Sequence, residues 1–196
     1  MVSLRFATAL AAVGLFASGM VFAEGAKPND AQIAHIAYTA GQLDIAAAEQ
    51  AKQKSKNKDV IAFADDMERD HKAVNEKALA LVKKLGVTPE DNDTSKALSK
   101  QAADKRAELA KLNGKAFDKA YIDNEVAYHK AVNSALQSTL IPDASNAELK
   151  DLLTTGLKIF QGHEQHAEHV AAKFSAYGDV GRSDPGQNHQ EHRAQG

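Results

Sequence analysis

Six residues in this chain have types and positions that could do chemistry together: Asp44, Glu68, His71, Glu125, His129 and His163. All but Glu68 sit on the apolar stripes of amphipathic segments. Asp44 lies between Ala40 and Ala47, and His71 follows Met67 by one helical turn. Glu125 and His129 share a face with Ile122, Val132 and Leu136, and His163 continues the stripe of Ile159 and Phe160. A carboxylate or imidazole taken out of water is costly unless it is paired or coordinated. Imidazole and carboxylate donors from several helices suit a transition metal, and iron, copper or zinc is the cofactor class expected. Glu68-Arg69-Asp70-His71 has the Glu-x-x-His spacing that di-iron carboxylate bundles use, and Glu125 and His129, four apart, can also share an ion.

The full di-iron signature is not met. The last predicted helix offers His163-Glu164-Gln165-His166, and Asp44 stands where a Glu would complete the set. This incomplete set argues against an enzyme. If there is a reaction, a di-metal oxidase or peroxide-detoxifying activity is the one implied. The alternative to a metal site is a buried hydrogen-bonded layer in which Asp44 and Glu125 pair with His71, His129 and His163 and only specify the fold. The protein would then be a non-catalytic envelope or stress protein. His163, His166 and His169 wind around their helix, so His166 and His169 are expected to turn toward solvent. His35 reads as surface, and Asp70 as facing water or capping a neighbour.

The elements that must position these residues are helices. Ala, Lys, Leu, Glu and Gln dominate, Trp is absent, and no alternating stretch reads as a strand. The first helix is expected from Asn29 or Asp30, with Ile33, Ile36, Ala40, Leu43 and Ala47 inward, ending in the Lys-rich turn of residues 52–58. The second carries Val60, Ala64, Met67, His71, Val74, Ala78, Leu81 and Leu85 and stops at Gly86. A more polar helix over residues 93–111 is read as a crossover, broken at Asn113-Gly114. The next runs from Lys115 to Leu140, ended by Pro142. The last opens on Ser145 and Glu148 in capping-box spacing and closes at Gly178. Two short links flanking one long one suggest an all-α, ferritin-like four-helix bundle with a helical crossover between its second and third helices. An up-down bundle with an appended helix is the competing topology.

The chain begins with a segment of signal-peptide character. Arg5 precedes an apolar run from Phe6 to Phe16, and Val21-Phe22-Ala23 suits cleavage before Glu24. Residues 1–23 are therefore expected to be removed, residues 24–178 to form the bundle domain, and residues 179–196 to be a disordered tail that includes His189 and His192. Export to the periplasm, with a possible envelope association, is the expected location. There is no cysteine, which excludes disulfides, thiolate metal sites and a lipid-attachment cysteine. A net charge of −2 gives no basic face for nucleic acid. No transmembrane segment is expected once the signal is removed. Nucleophile elbows, phosphate loops and dinucleotide fingerprints are all missing.

The order and spacing of four short motifs resemble a known bacterial family, domain of unknown function 4142. They are Gly41-Gln42-Leu43-Asp44-Ile45; Phe63-Ala64 with Met67 and Asp70-His71; Phe117-Asp118-Lys119-Ala120-Tyr121-Ile122 followed by His129; and His163 with Ala167. The resemblance spans about residues 30–174. It implies a ferritin-like bundle in the periplasm or outer envelope, with Asp44, His71, His129 and His163 as recurrent polar positions. It implies no activity. Asp44 departs from the Glu that is often found there.

Overall fold

The computed structural model describes residues 27–180, and within them every regular element is helical. The predicted signal peptide lies outside the described residues, as does the predicted tail except residues 179–180, which belong to the last helix rather than to a disordered segment.

Helix α1 (Asp30–Lys54) starts on a full capping box, in which the Asn29 side chain accepts from the Gln32 amide and Gln32 returns the bond. Asp30 does a different job from the expected cap. Its two carboxylate oxygens accept the amides of Ser145 and Asn146, at 2.7 and 2.9 Å, and so tie the start of α1 to the start of the last helix. Helix α2 (Lys58–Leu85) is capped by Asn57 and ends at Gly86, whose φ of 64° is the left-handed conformation that closes helices. Helix α3 (Asp93–Ala110) is the polar segment read as a crossover.

Helix α4 (Gly114–Ala135) passes into a π-helical turn, Leu136–Leu140, and then a short helix α5, Ile141–Asp143. Sequence reading treats this stretch as one α-helix. The turn widens where the Ile141 amide bonds back to the Leu136 carbonyl, just before Pro142, which has no amide to continue the ladder. Helix α6 (Ala147–Val180) runs past Gly178. Its cap is Asn146, whose side chain accepts from the Leu149 amide at 3.0 Å, rather than Ser145.

α1 packs along α2, and α4 along α6; α2 also meets α6, and α1 meets α4, while α3 lies chiefly on α1. Along α2 the buried residues after His71 are Asn75 and Val82, one position off the expected Val74, Ala78 and Leu81. Gly41 explains the shift. A Cβ there would come within 2.5 Å of the Asn75 side chain, so the glycine lets α1 and α2 approach closely enough to bury it.

The apolar interior falls into two clusters. One gathers Val60, Phe63, Met67, Phe117, Tyr121, Ile122 and Val170. The other gathers Ile33, Ile36, Val132, Leu136, Leu153 and Phe160. On every long helix except α3, the residue that separates the two is Asp44, His71, Glu125, His129 or His163, each buried. No helix of the described residues is long and apolar enough to cross a membrane.

Candidate metal centre

Asp44, His71, Glu125, His129 and His163 converge from α1, α2, α4 and α6 in the plane between the two apolar clusters. Donor atoms of His71, His129 and His163 all lie within 4.8 Å of one another, and so do those of Asp44, Glu125 and His129. His129 is common to both sets.

Two of the rings, His129 and His163, are oriented by their outer nitrogens. His129 Nδ1 lies 3.0 Å from the Glu125 carbonyl oxygen, which fixes that nitrogen as the donor and leaves Nε2 as a lone pair facing inward. His163 Nε2 lies 3.0 Å from Asp70 Oδ2 and leaves Nδ1 inward. A ring nitrogen held by a carboxylate or carbonyl, with the opposite nitrogen free to coordinate, is the usual arrangement behind a metal-bound histidine. His71 lies flat against Phe160, with ring centroids 4.5 Å apart and planes 5° apart.

The inward atoms lack ordinary partners. Both Asp44 oxygens, both His71 nitrogens, Glu125 Oε2, His129 Nε2 and His163 Nδ1 are buried without a hydrogen bond in the structure. Asp44 Oδ2 stands 2.6 Å from His71 Nε2 and 3.6 Å from His129 Nε2, but neither approach has hydrogen-bond geometry. An unsatisfied buried polar atom costs about 1–3 kcal/mol, so a cluster of them needs a compensating interaction.

The ionisation states complement one another. Burial, reinforced by the charge of Asp44, pushes the Glu125 carboxyl well above the usual range, so it holds a proton that it can share with Asp44. Burial alone would raise Asp44 too, but the attraction of His71, contact with that ring and the attraction of His129 outweigh it and hold Asp44 ionised. Burial pushes His129 down to about 4 and lowers His163 as well, against the opposing pull of Asp44 and Asp70. His129 and His163, kept neutral by burial beside the Asp44 carboxylate, are thus in the protonation state metal ligands need.

Glu68 is a correction to the sequence reading. Its carboxylate is on the outside of α2, bonded to Lys52 at 2.8 Å and to Lys72, and these two contacts bring its pKa down to about 2. Three residues before His71 is a neighbouring position on a helix, but here the intervening angle turns Glu68 to the lysines. Asp70 is the reverse case. It reads as a surface residue, yet it leans across to His163 on α6, while Arg69 holds its other side at 2.8 Å. A pairing between helices leaves no trace in local spacing. His166 sits half-exposed, edge-on to Phe63 with centroids 5.2 Å apart, and is not in the cluster.

The profile of a protein family described as Domain of unknown function (DUF4142) matches residues 17–170. The chain belongs to this family. Neither a curated protein nor a solved structure matches it. If the centre of this DUF4142 member holds a metal through His163, Asp70→Asn is expected to weaken its binding about 10–100-fold, the usual cost of losing a partner behind a histidine ligand. A titration of metal into the purified variant checks this; an affinity equal to the unaltered protein's would remove Asp70 from the centre.

Proposed function

We propose that this protein is an exported, ferritin-like helical bundle that holds one transition-metal ion, of the iron, copper or zinc class, between its helices. His71, His129 and His163 with Asp44 are its ligands, Glu125 stands beside them, and Asp70 orients His163. The observation that carries this reading is the set of buried, inward donor atoms without hydrogen bonds, with the outer nitrogens of His129 and His163 anchored and the His71 ring stacked on Phe160. Nitrogen-rich donors favour these metals over calcium or magnesium, which take oxygen ligands. His129 offers a single inward nitrogen, so the two overlapping donor sets describe one ion better than two.

The ferritin-like assignment is supported by the antiparallel pairs implied by the short α1–α2 link and the brief α4–α6 connection, with α3 as the long crossover. Residues 1–23 support export to the periplasm. The close approach of Asp44 to His71 favours a second reading, a polar layer that only stabilises a structural envelope protein.

Elemental analysis of the untagged protein, purified from its native compartment, separates the two. One equivalent of one metal is expected. Its removal by a chelator should lower the melting temperature and its return should restore it, because a ligand that binds only the folded state at about 100 times its dissociation constant adds about 2.7 kcal/mol. Metal-free protein whose melting is indifferent to added metal would leave the structural reading.

A further inference from the structure

A cavity of about 40 Å³ runs from the surface between α1, α2 and α6 to the centre. Half-buried Ala37, Val74, Ala78 and Leu152 line its outer part, and His71 and His129 close its inner end. Between them the wall is aliphatic, and the π-helical turn contributes Leu136 and Leu140 to it. π-helical turns recur at functional sites because they re-aim side chains. Gly156 keeps the passage open: beside it, the nearest atoms to an added Cβ would be those of Phe160 at 3.4 Å and Val74 at 4.0 Å.

We propose that this cavity binds a small neutral, apolar molecule of the dioxygen class and presents it to the His71–His129 edge of the centre. The volume admits a guest of only a few atoms. Cavities with aliphatic walls stay dry although a water would fit in about 10–15 Å³, because water needs several polar partners. Beyond His71 and His129 at the inner end, the polar side chains on the wall are already engaged: Asn75 and Tyr128 donate to the carbonyls of Tyr38 and Ala40 at 3.4 and 2.8 Å, and the Tyr38 hydroxyl accepts from Gln42 at 3.1 Å. The opposite side of the centre contrasts with this. There a cavity of about 20 Å³ beneath α3 reaches Asp44 and Glu125 past Lys105, Arg106 and Asn124. A charged or strongly polar guest has its partners on that side, and a neutral one has its place on the aliphatic side.

Delivery to a metal rests on the reading of the centre given above, whereas occupancy of the cavity does not, so the test uses metal-free protein. Dissolved dioxygen is paramagnetic and speeds the relaxation of methyl groups it touches. In the full chain with labelled methyls, those of Val74, Val132 and Leu153 are expected to relax faster under dioxygen than those of Val60 and Val170 in the other apolar cluster. Gly156→Leu, which fills the passage, should abolish the excess. Ala78→Phe, at a half-buried position that folding tolerates more readily, should reduce it. Equal enhancement in both clusters, or an excess that survives both substitutions, would overturn the proposal. Metal content of the same preparations is read separately, so an occupied cavity in a protein that never binds metal would refute only the centre.

Discussion

His129→Ala is expected to purify with metal at background level, while His166→Ala retains the full equivalent. His129 Nε2 belongs to both groups of converging donors, so its loss breaks each of them at once. Its ring is held in place before any ion arrives by the 3.0 Å contact of Nδ1 with the Glu125 carbonyl, which means that no ordering cost is paid on binding. His166 is a fair control because it lies on the same helix as His163 with its ring half in solvent. In excess metal, a protein that binds at about 1,000 times its dissociation constant gains about 4 kcal/mol, and His129→Ala forgoes all of it. Thermal melts with and without metal show this directly. Equal metal content in the two variants would exclude His129 as a ligand.

The second large effect is in pH dependence, and Glu125 conceals it in the unaltered protein. His129 is depressed to about 4 from 6.5, so its contribution to stability is complete above pH 6.5 and is lost as pH falls toward about 4. A shift of that size corresponds to about 3 kcal/mol. His163 shifts in the same direction and adds to the acid loss. Glu125 is raised, so its contribution is complete below 4.5 and is lost as pH rises toward its folded pKa. Between 4.5 and 6.5 the slopes of His129 and Glu125 therefore oppose each other. Metal-free protein should show a shallow profile where the two overlap. Glu125→Gln removes the opposing slope without removing volume. That variant should lose about 3 kcal/mol between pH 6.5 and 4. Urea titrations across this range measure it, and a Glu125→Gln profile as shallow as the parent's would show that His129 is not held neutral by burial.

Most of the scaffold could be read from the chain because its signals are local. Helical periodicity, Asn57 as a start and Gly86 as a stop, and the polar composition of α3 each act within a few residues. Asp44, His71, Glu125, His129 and His163 were legible for a related reason: each is a polar residue on an apolar stripe, and each is buried. What escaped depends on partners distant in sequence. Asn75 replaces the expected apolar face of α2 because Gly41 on another helix makes room for it. Asp70 turns inward because His163 waits on α6, and Glu68 turns outward because Lys52 and Lys72 claim it. Glu-x-x-His spacing alone could not distinguish these fates. The π-helical turn lies just before Pro142 with Leu136 and Leu140 buried, and apolar spacing does not distinguish it from α-helix.

Because the donors come from α1, α2, α4 and α6, the first and last of them are separated by nearly the whole domain. No partial chain can assemble the set, and a binding site that requires the fold binds only after folding. A polypeptide threaded unfolded through an export channel would therefore arrive without an ion. If this protein is exported and holds a metal as proposed, its choice of ion would be made on the far side of the membrane, among whatever ions that compartment holds at the moment α6 docks.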